Sequence, residues 1–278
     1  LLNALLGAAA GVATYAIVKR ARPGAALWAG LAVALHPALV PYTPAIMTEG
    51  PTAALLVIAG ACAVRRWRLA TGLVIGLAVL VRPQSLLFAP VLGALISSGD
   101  GGMDTWKRRA VSAALVTALA LGVCAPWTAR NCVRMEKCAL VSVNGGWNLA
   151  IGTQTEDGAW REIRVPDECR EVFQEAAKDD CFGAAARREI LARPGRWLAH
   201  IPAKLHATFD YFGAAPWYLH DANKEAFPYE AKVRLGTMET VTSRLLLVAA
   251  LVAVARTAAR RRHVVLAAVG LGVVSCFT

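Results

Sequence analysis

LATGLVIGLAVLVRPQSLLFAPVLGALISSG, Leu69 to Gly99, carries a single charge, Arg82, directly before a proline. It reads either as one long helix broken in the middle or as two short helices joined at Val81-Arg82-Pro83-Gln84. The choice decides the fold, because one crossing and two crossings leave every later residue on opposite sides of a membrane. Proline disfavours helix at the residue before it. A charge at mid-depth in hydrocarbon is costly. Both penalties vanish if Arg82 stands at the tip of a hairpin, so a hairpin is predicted.

The rest of the chain supports a membrane setting. Of its 278 residues 56% are hydrophobic, and the mean hydropathy is +0.46, above the usual range for a soluble domain. Apolar runs at Leu1–Val18, Pro23–Pro44, Pro51–Val64, Ala110–Pro126, Val241–Ala255 and His263–Thr278 predict spans on either side of the hairpin. Leu1 is not an initiator methionine and the last run has no polar flank, so the sequence is expected to be a piece of a longer protein. The fold class predicted is an all-α polytopic membrane protein: a helix bundle over 1–127 with about six spans, a large loop domain over 128–240, and two further spans over 241–278.

The net charge of +11 would suit nucleic acid if it formed one surface, but it is dispersed in short clusters between apolar runs. These are Lys19, Arg20, Arg22; Arg65, Arg66, Arg68; Lys107, Arg108, Arg109; and Arg256, Arg260, Arg261, Arg262. Residues 130–239 hold 15 basic and 16 acidic residues and are nearly neutral. Excess Lys and Arg in short loops marks the cytoplasmic face. With all four clusters inside, the hairpin parity puts the long segment outside, and no nucleic-acid partner is implied.

Four of the seven cysteines, Cys132, Cys138, Cys169 and Cys181, fall in that outer segment. An even number in an oxidising compartment suits two disulfides, most simply Cys132–Cys138 and Cys169–Cys181, although three pairings are possible. No zinc-ligand spacing appears; His36, His200, His206 and His220 read as structural, and neither a metal nor a cofactor is expected. Ala139–Val143 and Asn148–Ile151 flank Asn144-Gly145-Gly146-Trp147, which reads as a turn. Asp167–Lys178 and Gly183–Arg193 read as two helices, the second closed by Pro194-Gly195. Trp197, Ile201, Leu205, Phe209 and Phe212 recur at helical spacing, with Tyr211, Trp217 and Tyr218 following. They suit an amphipathic helix at the membrane interface or an ordinary helix of a small outer domain.

Three polar positions share the outer side in this topology. Glu49, the only acidic residue among the first 99, is either a functional acid or a carboxylate starting a helix before Gly50-Pro51. Arg82 presents a planar fork that suits two phosphate oxygens, or anchors the chain at headgroup depth. Arg130 and Asn131 lie where Ala110–Pro126 leaves the membrane. No nucleotide-binding or serine-hydrolase signature is present.

His36-Pro37 through Thr48-Glu49-Gly50, Gly76-Leu77-Ala78-Val79-Leu80-Val81-Arg82-Pro83, and Pro126-Trp127-Thr128-Ala129-Arg130-Asn131 followed by Asn144–Leu149 and Ile151-Gly152 occur in an order that resembles one family. It is the GT-C membrane glycosyltransferases, in particular bacterial relatives of the protein O-mannosyltransferases and of the lipid A aminoarabinose transferase. The resemblance implies a GT-C-like bundle in the bacterial inner (plasma) membrane with its large loop extracytoplasmic. It implies a polyprenyl-phosphate-linked sugar as donor and a glycan, lipid or protein as acceptor, among membrane lipids. Glu49 would border the cavity as a catalytic acid; Arg82 and Arg130 would bind the lipid phosphate. Asn131 and Asn144, Gly145, Gly146, Trp147 and Asn148 would belong to the cavity wall. The family's first outer loop, with its principal catalytic acid, has no counterpart, so that base is expected upstream of Leu1 and the piece alone is expected to be inactive. A flippase of polyprenyl-linked glycans and a non-catalytic membrane subunit are the alternatives.

Overall fold

A computed structural model describes residues 1–45, 47–97, 105–135, 137–155, 162–209 and 213–258. Among them every regular element is helical and no strand occurs. The run His263–Thr278, with Arg260–Arg262, Tyr211 and Phe212, lies outside the described residues. Among the described residues three helices are long and apolar enough to cross a membrane: Leu2–Ala21, Thr105–Arg134 and Tyr229–Val252. Four shorter apolar helices accompany them. The chain divides into two compact units, Leu1–Cys124 with Phe212–Thr278, and Ala125–Tyr211; residues 213–240 therefore group with the first unit and not with the loop.

In the first unit, α1 (Leu2–Ala21) packs antiparallel to α2 (Ala26–Ala34) through Gly11 and Gly30. The span expected over Pro23–Pro44 is helical only as far as Ala34. Three prolines, Pro37, Pro41 and Pro44, bias the residues before them away from helix, and the described residues of 36–48 form turns and irregular chain. Helix α3 (Glu49–Val64) then returns beside α1. Arg20 Nη1 donates to the terminal carbonyl of Val64 at 2.7 Å, so α1 and α3 finish at the same end.

The Leu69–Gly99 stretch folds as two helices, α4 (Arg68–Val81) and α5 (Phe88–Ile96), separated by Arg82 in an extended conformation and a 3-10 turn at Pro83–Leu87. Arg68, at the start of α4, donates from Nη2 to Ser97 Oγ just past the end of α5, at 3.2 Å. The two helices therefore run in opposite directions, as a hairpin. Arg68 Nε also donates to Ser112 Oγ near the start of α6 (Thr105–Arg134), at 3.2 Å. From there α6 runs alongside α4: a Cβ added at Gly72 would meet Leu119 Cβ at 2.5 Å, and one at Gly76 would meet Val123 Cβ at the same distance. Missing side chains allow that approach, as small residues do between membrane helices. One end of this unit thus gathers Arg20, Arg65, Arg68, Lys107 and Arg108; the other carries the 36–48 segment, Glu49 and Arg82.

Helix α6 does not stop at Pro126 but continues to Arg134. Pro126 is therefore accommodated inside the helix, without the hydrogen bond that its missing N–H would have made. In the second unit, Gly145–Gln154 is a helix, α7, where a turn was expected. The two helices expected at 167–178 and 183–193 are a 3-10 turn, Asp167–Cys169, and one helix, α8 (Glu175–Ala192). Gly183 lies inside α8 where α7 crosses it: a Cβ added there would come 3.2 Å from Gly146 Cα. Cys132 pairs with Cys138 and Cys169 with Cys181. Pro194 opens α9 (Pro194–Ala199), and the amphipathic stretch continues as α10 (Ile201–Phe209) after a break at His200. Helices α11 (Ala214–Ala222) and α12 (Tyr229–Ala258) return to the first unit.

Candidate functional site

Glu49 stands in the first turn of α3, where the positive end of the helix dipole favours a carboxylate. Arg82 comes from the bend that Pro83 forces, with φ −141° and ψ 111°. Its Nη2 forms an ion pair with Glu49 Oε1, and its Nε donates to Thr48 Oγ1 at 2.8 Å. The two side chains are 33% and 36% exposed, so the pair stands at a surface and is not sealed in the core. A guanidinium held on one edge by a carboxylate and a hydroxyl is fixed in orientation, which lowers the entropy lost when its other edge binds an anion.

Tyr42 lies beside this pair. Gly50 makes room for it, since a Cβ there would come 3.2 Å from Tyr42 Cβ. The Tyr42 hydroxyl is pushed up to about 12, by burial first and then by the carboxylates of Glu239 and Glu49, while Arg82 pulls it down. Ala45, Ala215 and Leu219 form a small core against which Tyr42, Met47 and Phe227 pack, tying the 36–48 segment to α11. A cleft of about 120 Å³ opens between α1, α3 and that segment, lined by Asn3, Leu39, Tyr42, Thr43, Gly50 and Val57. Its walls are apolar with few polar groups, the usual character of a small-molecule site.

Glu239 completes the set. It is 3% exposed, and its Oε2 has no hydrogen-bond partner among the described residues. It belongs to a stripe on α12, Gly236, Glu239 and Thr240 buried with Ser243 half-buried, at the spacing of one helical face. Val233, Met238, Val241, Leu245 and Val248 are exposed on the remaining faces. The buried side of the helix is polar, and from Leu245 to Val252 its exposed large side chains are apolar, as expected of a segment surrounded by lipid.

The other sequence-predicted residues lie in the second unit. Asn131 is 1% exposed, and its amide donates to the carbonyls of Ala139 at 3.0 Å and Val141 at 3.1 Å. Both amide hydrogens are thereby used in pinning the 139–141 segment to α6. Trp127 Nε1 and Thr128 Oγ1 donate to the same segment, at Val141 and Leu140. Arg130 donates to Asn131 Oδ1 at 3.0 Å and lies over the Trp127 ring. It is exposed and already oriented.

The Asn144–Asn148 motif is built into the core of this unit on one side. A Cβ on Gly146 would overlap the backbone of Asp179. Asp179 Oδ1 accepts the Trp147 N–H at 2.8 Å, capping α7 from α8, and the Trp147 ring meets Phe182 edge-on at 4.8 Å. Asn144, Gly145, Trp147 and Asn148 are exposed. Gly146 therefore serves helix packing, while the residues around it remain open.

The geometry brings Glu49 and Arg82 together and adds two residues that sequence reasoning missed, Tyr42 and Glu239. Glu239 left a signal, a Gly236-Glu239-Thr240-Ser243 face, but the span expected from Val241 excluded it. No family model, curated protein or solved structure matches the chain.

Proposed function

We propose that this chain is the membrane-embedded part of a glycosyltransferase that takes its sugar from a polyprenyl-phosphate donor on the extracytoplasmic side of a bacterial inner membrane. The observation that carries the reading is the Arg82 fork held by Glu49 and Thr48 beside an apolar-walled cleft, at the end of the bundle remote from the basic clusters. Such a fork matches the two oxygens of a phosphate, and the apolar walls suit a prenyl chain. In this reading an acceptor hydroxyl or amine attacks the anomeric carbon and gives its proton to a carboxylate. The bond from that carbon to the phosphate oxygen breaks, and Arg82 stabilises the charge left on the lipid phosphate. Glu49 holds Arg82 and borders the acceptor; Glu239 and Tyr42 supply a second acid and a hydroxyl near by.

The test is steady-state transfer from a radiolabelled polyprenyl-phosphate sugar at several donor concentrations, in membranes carrying the complete protein. Arg82→Lys keeps the charge and loses the fork; Glu49→Gln keeps the shape and loses the charge. Each is expected to lower transfer by roughly ten- to a hundredfold, the value of ~1.5–3 kcal/mol for a hydrogen bond to a charged group, with Arg82→Lys acting mainly on donor use. Parental rates in both variants, at normal expression, refute the assignment.

A further inference from the structure

The basic end of the first unit contains a second cleft, of about 380 Å³, lined by Arg68, Lys107, Arg108, Val111, Ser112 and Leu115. It is unrelated to the Glu49–Arg82 pair. Arg68 is held in place by Ser97 and Ser112, which are 0% and 2% exposed. Both partners are neutral hydroxyls, so the guanidinium keeps its full charge. Among the described residues no carboxylate pairs with Arg68, Arg108 or Arg109, and Arg109 Nε is buried without an acceptor. The first turn of α6 contains no acid, and its dipole adds positive potential at the same place. An arrangement of this kind gains stability from an anion.

The walls say which anion. Val111 and Leu115, one turn apart on α6, are 68% and 46% exposed and continue the cleft away from its charged rim. Trp67 and Trp106, the residues just before Arg68 and Lys107, are 54% and 69% exposed, and each carries a cation over its ring, Arg65 at 5.1 Å and Lys107 at 6.0 Å. Exposed tryptophans beside cations mark the headgroup level of a bilayer. A charged rim at headgroup depth above an apolar wall matches a molecule with a phosphate at one end and hydrocarbon at the other. We propose that this cleft seats an anionic phospholipid, its phosphate against Arg68, Lys107 and Arg108 and an acyl chain along Val111 and Leu115.

Native mass spectrometry of the whole chain, released from nanodiscs of equimolar phosphatidylglycerol and phosphatidylcholine, tests it. Wild type is expected to retain phosphatidylglycerol preferentially. Lys107→Gln with Arg108→Gln is expected to reduce that preference by roughly five- to twenty-five-fold, from about fivefold for each juxtamembrane cation. Arg22→Gln with Arg65→Gln, which removes the same charge from the same end but outside the cleft, is expected to change it less than about twofold. Arg68 is left intact because it also clasps α5 and α6. An equal fall in both double variants would show diffuse attraction and overturn the proposal, as would equal retention of the two lipids by wild type. Displacement of the lipid by millimolar inorganic phosphate would overturn it too, since a free anion would then satisfy the site without the apolar wall.

Discussion

Glu239→Met is expected to stabilise the protein and, on the proposed transferase reading, to lower sugar transfer by the complete protein. The carboxylate is 3% exposed, with Oε2 unpartnered among the described residues, and a buried acceptor left unsatisfied costs ~1–3 kcal/mol. Methionine is unbranched and similar in length, and its thioether adapts to irregular spaces, so the change removes the penalty with little repacking. A gain of ~1–3 kcal/mol follows, at the upper end if the acid is ionised in the folded state. Glu239→Gln keeps a polar group in the same surroundings and is expected to gain less. Unfolding in mixed micelles of increasing SDS content measures the difference, with sugar transfer assayed on the same preparations. A Met variant that loses more than about 1 kcal/mol would show that Glu239 is a structural partner and refute the reasoning. A stabilised variant that transfers at the parental rate would remove Glu239 from the site.

Gly146→Ala is expected to destabilise the α7–α8 pair by ~1–3 kcal/mol, since the added methyl overlaps backbone and not a movable side chain. Faster hydrogen exchange at Trp147, whose N–H bonds Asp179, would report it; Gly145→Ala, which meets nothing within 4 Å, is the control, and equal exchange in both variants would contradict the packing. Tyr42 should ionise later than an ordinary tyrosine, near pH 12 rather than 10. The unfolded chain then loses its proton first, so this group's share of stability is present below pH 10 and lost as pH rises from 10 to about 12. Subtracting the 295 nm titration of Tyr42→Phe from that of the parent isolates the step, and a midpoint near 10 would disprove the burial and charge coupling.

The hairpin was legible because two independent penalties, proline geometry and a mid-depth charge, point to the same residue, Arg82. Glu49 was legible through its isolation in an apolar run. Their pairing was not, because contacts across more than thirty residues depend on how α3 and α4 pack, which periodicity does not encode. Gly145-Gly146 misled for a physical reason: two glycines suit a tight turn and a close helix crossing equally well, and only α8, through Asp179 and Gly183, decides between them. Pro126 misled as well, since a proline disfavours a helix without always ending it, and α6 continues past it to Arg134. Glu239 was hidden because the expected span began at Val241, two residues beyond it and twelve after α12 begins.

The clasp of Arg68 on Ser97 and Ser112 also bears on how the chain enters a membrane during synthesis. Helices α4 and α5 have 14 and 9 residues, about 21 and 14 Å at 1.5 Å per residue, too short to cross ~30 Å of hydrocarbon singly. Neither is a stable insertion intermediate by itself. Arg68 emerges from the ribosome well before either serine, and its clasp closes only after α5 has turned back and α6 has begun. The half-made hairpin is therefore expected to need shelter until the following helix arrives, and a translational pause placed before Ser112 is expected to increase degradation of the chain.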